Sequence, residues 1–288
     1  MRVVKFILAV ILGIILSIAA ILILSAFMDY QTAGLIGFGI TILTVAIIMK
    51  IDFRSLRKAP AVSQERQRYL LFGGLLMSMN NESNKAFKIV KSSAREARDT
   101  LASTWGIEDR DDAVYVATHL SVANVHTYFA DDVYRSLIKK GITDPTDEEL
   151  KSLKLEHAQQ PERVKHGIAT YRTAEAKLLK IGYTEEELAS IRTLAAWDYG
   201  RTAYIARYSA HAGYITEDEA WAHIIAAAEN AAGTYDGWKQ YLAAYVLGRC
   251  VAYCEFLNIG AGLLGDNSVY SRTPFKSQTS CEIPNERP

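Results

Sequence analysis

The sequence predicts an all-α protein: an N-terminal two-helix transmembrane hairpin followed by a compact cytoplasmic helical bundle. Three observations carry that expectation. Two uninterrupted apolar runs open the chain. Beyond them alanine is abundant, and the 288 residues contain only 6 prolines. No stretch alternates apolar and polar residues in the way a half-buried strand does.

The first run, Phe6 to Met28, carries no ionisable side chain. About 20 helical residues at 1.5 Å each cross a hydrocarbon layer of about 30 Å, so residues 6–28 are predicted to form one span. The second run, Ala33 to Met49, sits at the short end of the spanning range, and residues 33–49 are predicted as the second span. Asp29 to Thr32 leave room for little but a tight turn. A cleaved secretory signal fits less well, because the apolar run is long, no small-x-small cleavage site follows and a second run comes at once. Ser17, Ser25, Thr41 and Thr44 can bond their own helix backbone, and Gly34, Gly37 and Gly39 would admit a closely packed helix.

Flanking charge sets the expected orientation. Arg2 and Lys5 precede the first run, whereas Lys50, Arg54, Arg57 and Lys58 follow the second. Positive residues favour the cytoplasmic side, so the expectation is a multi-pass protein of a bacterial inner (cytoplasmic) membrane with both termini cytoplasmic and the lipid bilayer as a partner. The 3 cysteines are too few, and odd in number, for a disulfide framework. Lys and Arg total 32 against 32 Asp and Glu, with no basic block, which argues against nucleic acid as a partner.

Four regions are expected: the hairpin over 1–50, a juxtamembrane linker over 51–67, a helical domain over 68–258 and an irregular, partly disordered tail over 259–288. Within the helical domain a boundary device recurs. Gly106-Ile107, Gly141-Ile142, Gly182-Tyr183 and Gly213-Tyr214 each place an apolar residue after a glycine and an acidic or capping segment after that. Glycine closes a helix in the left-handed conformation, and the apolar residue packs back on the last turn. Thr146 with Glu149, Thr184 with Glu187 and Thr216 with Glu219 then read as capping boxes. The glycine spacing is uneven, which favours a bundle over a regular superhelix.

Trp197-Asp198 with Arg201, Gly213-Tyr214 with Thr216, Glu219 and Trp221, then Trp238 and Leu247-Gly248-Arg249 resemble the bacterial family catalogued as domain of unknown function 1266. Trp105-Gly106-Ile107 is similar to that family's other recurring block. The resemblance covers about residues 70–255. It implies an all-helical cytoplasmic module and brings no established activity, and the hairpin lies outside it.

The candidate binding residues are Trp197, Asp198, Arg201, Tyr204, Glu219, Trp221, Trp238 and Arg249. Asp198 and Arg201 are three apart on a helix and can pair. Trp197, Arg201, Tyr204 and Tyr208 share one helical face, where a guanidinium can stack on rings. Arg249 can reach the same Asp198 from a later helix. One reading is a pocket that presents arginine to an anionic ligand, the other an ion pair that fixes helix register.

Metal chemistry finds less support. Glu219 and His223 are four apart, but Glu219 is wanted for a capping box and a site needs a third ligand. His119 and His126 share a face with Asp131 and Asp132 beyond, without an HExxH or paired Glu-x-x-His pattern. Cys250 and Cys254 read as core thiols. No nucleophile elbow, Walker loop or dinucleotide fingerprint occurs, and Gly73-Gly74 reads as a close helix contact. No catalytic residue, metal or cofactor is assigned. The functional expectation is a membrane-anchored interaction or accessory module that binds a protein partner, with a protective, immunity-like role as one version and homo-oligomerisation open. The alternative is an enzyme or anionic-ligand receptor centred on Asp198, Arg201 and Arg249.

Overall fold

The computed structural model describes residues 2–50, 59–123 and 127–255, and they form helices without strands. The predicted tail over 259–288 lies outside the described residues, as do His126, Cys281 and residues 51–58 of the linker. Two units result, one ending at Lys58 and the other beginning at Ala59.

In the first unit, α1 (Arg2–Leu24) and α2 (Tyr30–Lys50) pack against each other. The second helix begins earlier than its hydropathy suggests. Asp29 accepts from the Thr32 amide at 2.9 Å and so caps α2 before Gln31 and Thr32. Small residues make the crossing: the Ser17 hydroxyl bonds the carbonyls of Gly13 at 2.8 Å and Gly37 at 2.5 Å, and meets the Thr41 hydroxyl. A Cβ on Gly13 would stand 3.1 Å from the Thr41 methyl, so these backbones approach as closely as glycine permits. Around the crossing, Ile15, Leu22, Leu35 and Phe38 are exposed.

Among the described residues, no helix is long and apolar enough to cross a membrane. The predicted spans 6–28 and 33–49 are therefore not upheld. The inner-membrane, multi-pass localisation is corrected with them, and the cytoplasmic placement of the helical body, which rested on their flanking charges, falls too.

The second unit is built around one wrapped helix. It comprises α3 (Gln64–Leu71), α4 (Gly74–Met79), α5 (Ala94–Trp105), α6 (Arg110–Ser121), α7 (Thr127–Ser136), α8 (Asp147–Leu150), α9 (Leu155–Ala158), α10 (Pro161–Lys180), α11 (Glu185–Ala189), α12 (Ala196–Ala212), α13 (Glu217–Thr234) and α14 (Trp238–Tyr253). Residues 64–67, expected in the linker, already belong to α3 because the Ser63 hydroxyl caps it. Every residue of α12 from Ala196 to Ser209 is buried. A helix apolar or packed on all sides has neighbours on all sides, and α4, α5, α6, α13 and α14 surround this one.

The predicted turns are present. Gly106, Gly141, Gly182 and Gly213 have φ of +63°, +78°, +102° and +83°, the left-handed region that side chains avoid. All three predicted capping boxes form, and a fourth joins Ser93 to Glu96. Close packing explains other glycines. A Cβ on Gly73 would stand 2.6 Å from the Ala203 Cβ, and one on Gly248 would stand 2.7 Å from the Leu194 carbonyl oxygen.

The segment entering α12 is tied from several directions. Tyr134 and Lys139 donate to the Ile191 carbonyl at 2.7 and 3.1 Å. Asp131 accepts from the Leu194 amide at 2.8 Å, and the Tyr235 hydroxyl both donates to the Thr193 carbonyl and accepts from the Ala196 amide. Residues 191–195 thus hold a fixed path into α12 without regular structure of their own.

Candidate functional site

The predicted residues divide among five places. Trp197, Asp198, Arg201 and Arg249 come together where α12 meets α14. Tyr204 lies further along α12 and stacks on Tyr208, ring centroids 4.2 Å apart. Trp221 stacks on Phe87, and the Arg66 guanidinium lies over the Trp221 ring at 4.8 Å. Trp238 packs against Phe72 and Tyr241.

Glu219 is half-buried and structurally engaged. It closes the Thr216 capping box and receives both terminal nitrogens of Arg110, at 3.1 and 2.5 Å. The Arg110 hydrogen bond, followed by those from Thr216, holds its carboxyl down to about 2. His223 is shifted down by burial. Among the described residues no cluster of metal-ligating side chains forms.

At the α12–α14 contact, Arg201 pairs with Asp198 and also donates to the Trp197 carbonyl at 3.3 Å. The Trp197 indole lies between two guanidinium groups, 4.6 Å from Arg201 and 5.4 Å from Arg249. Arg249 also lies 4.9 Å from the Tyr253 ring, and Tyr245 meets Trp197 edge-on at 5.0 Å. Trp105, from α5, completes the surround at 5.5 Å from Arg201. Asp198, Arg201 and Arg249 are 0%, 1% and 7% exposed, so the cluster sits in the core with its Arg249 edge outermost.

Its electrostatics are unbalanced. Its buried part sets one carboxylate against two guanidinium groups, while the exposed Glu255 carboxylate acts on Arg249 from outside. Burial lowers Arg201 to about 10, with Arg249 pushing in the same direction, and burial lowers Arg249 as well. Both remain charged at neutral pH. Three buried donors, Trp197 Nε1, the Tyr245 hydroxyl and Arg249 Nη1, have no partner among the described residues. Such groups each cost about 1–3 kcal/mol when left unsatisfied.

Tyr245 and Tyr253 were not among the predicted site residues. Their signal is nonetheless local: Tyr245, Arg249 and Tyr253 are spaced four apart and share a helical face. A third buried arginine, Arg207, gave no such signal. It donates to the Phe87 carbonyl at 2.8 Å and the Ser83 carbonyl at 3.2 Å, and touches the Met77 sulfur. Cys250 is core as expected, and burial pushes its thiol up to about 12.

No curated protein and no solved structure matches the chain. One family model does match, described as "Protein of unknown function (DUF1266)", over residues 100–259. That range contains the Trp105 block, the whole of α12 and the Arg249 cluster. It starts later than the sequence resemblance suggested, which leaves α3 and α4 outside. On a match covering more than half of its length, this chain belongs to the DUF1266 family.

Proposed function

We propose that the helical body is a non-catalytic binding module that receives one anionic group beside Arg201 and Arg249. A single observation carries this reading: a buried cluster with one more cation than anion also holds three unpartnered donors, Trp197 Nε1, Tyr245 OH and Arg249 Nη1. A carboxylate or phosphate oxygen arriving at the Arg249 edge offsets the excess charge and satisfies those donors, and charge-assisted hydrogen bonds are the strong ones. The planar guanidinium and the rings around it fix the orientation of the incoming group.

Thermal melting of the full chain in increasing acetate, phosphate or citrate tests the reading. A saturable rise in Tm with at least one of these anions is expected, absent in Arg249→Gln and reduced in Tyr245→Phe. A flat response to all three in the unaltered protein sinks it.

A second reading draws on the first unit. Large apolar side chains stand exposed there, with Leu22 at 70% and Leu35 at 73%. Large apolar side chains exposed in this number suit an interaction site, and we propose a protein partner for it. Crosslinking in cells through a photoreactive residue at position 35 is expected to yield one discrete adduct; a smear identical to that from an exposed position in α10 argues against it.

A further inference from the structure

A cavity away from the Arg249 cluster shares no side chain with it. It measures about 530 Å³ and opens between α7, the segment before α9 and the tied segment 191–195. Its apolar lining is limited to alanine, so it offers nothing to grip a hydrophobic body. The remaining lining is charged or hydroxylic.

Both of its carboxylates are already committed. Asp131 accepts from the Leu194 amide, and burial raises its carboxyl above the usual range. Asp132 accepts from the Lys154 amide at 3.0 Å and from His157 Nδ1 at 2.7 Å, and the Ser136 hydroxyl reaches its other oxygen at 3.3 Å. These two adjacent aspartates tie α7 to two separate loops, so the walls of the cavity are braced against each other. Arg135, Lys140 and Lys154 add three cations from three segments. Ala195, the N-cap residue of the 17-residue α12, also lines it, which places the positive end of that helix dipole at the cavity.

We infer that this cavity binds a small, polar, phosphate-bearing molecule. The three lining cations, of which Arg135 already stands 3.7 Å from Asp131, outnumber the two engaged carboxylates and suit a phosphate dianion better than a single carboxylate, and a lining whose apolar side chains are alanines gives an aromatic or acyl body little to grip. The Ser136 and Thr193 hydroxyls, which bond Asp132 and Asp131, also line the cavity, and a sugar hydroxyl would meet them there.

Isothermal titration of the full chain with inorganic pyrophosphate and with ribose 5-phosphate tests this. Binding of either is expected at a Kd below about 1 mM. The double variant Arg135→Gln/Lys140→Gln is expected to weaken it at least about tenfold, a loss of about 1.4 kcal/mol. Both side chains are exposed, so the variant is expected to keep its circular dichroism and Tm. Lys180→Gln, on α10 and outside the cavity lining, serves as the control. If neither probe binds, or the double variant binds as well as the unaltered chain, or the control loses as much, the inference is wrong. Tighter ribose 5-phosphate assigns the hydroxyls a role, and tighter pyrophosphate assigns recognition to charge alone.

Discussion

Arg207 on α12 donates through Nε to the carbonyl oxygen of Phe87 at 2.8 Å, joining residues 120 positions apart. The guanidinium also reaches the Ser83 carbonyl, so one buried side chain holds the irregular segment between α4 and α5 against the central helix. Glu82 lies beside it and offsets its charge, while burial pushes the Glu82 carboxyl up.

Arg207→Ala strands those carbonyls without a donor. The expected cost is about 2–4 kcal/mol, read from urea unfolding. Native-state amide exchange adds a local test: residues 82–90 are expected to exchange much faster in the variant while α10 and α14 keep their protection. Uniform acceleration throughout would mean that Arg207 supports the whole fold and has no special hold on that segment.

Asp198→Ala removes the only carboxylate shown pairing with Arg201 and leaves two buried cations facing each other. Breaking a buried pair from one side costs about 3–5 kcal/mol. Adding Arg201→Met relieves part of that repulsion, so the double variant is expected to be less destabilised than the two single effects combined. A double-mutant cycle in denaturant measures the coupling. Additive losses would show that the two side chains contribute independently.

Glu219 predicts a pH response. Its folded value is depressed from 4.5 to about 2, so its contribution is complete above 4.5 and is lost as pH falls from there toward 2. The unaltered protein is expected to lose Tm through that window. Glu219→Gln is expected to start lower at neutral pH and to fall less steeply across the same window. Parallel curves for the two proteins would refute the assignment.

Two glycines on neighbouring helices are expected to respond oppositely to alanine. At Gly248 the new methyl meets the Leu194 carbonyl, a backbone atom that is itself tied in place, and a loss of about 1–3 kcal/mol is expected. At Gly233, in α13, nothing lies within 4 Å, so alanine is expected to stabilise the helix by about 0.5–1 kcal/mol. Differential scanning calorimetry on both variants is sufficient.

These contrasts show what was legible in the sequence. Turns were, because a left-handed glycine and a capping box are local devices whose partners lie within four residues. Ser93 with Glu96 carries the same signal and went unread. The single face drawn through Trp197, Arg201, Tyr204 and Tyr208 did not survive as one site. A helix buried all round uses every face, and its two ends serve different clusters. Arg207 was illegible because each of its partners is remote in sequence. The apolar runs at the N-terminus were read from hydropathy and length, and no described helix is long and apolar enough to bear out a crossing.

The wrapping of α12 also orders the life of the nascent chain. Helices α4, α5 and α6 leave the ribosome first, with apolar faces shaped for a helix that has not yet been translated. Until residues 196–212 emerge, those faces have no native cover. Synthesis must therefore pass through a period in which half of the domain waits, and molecular chaperones are the natural company for that wait.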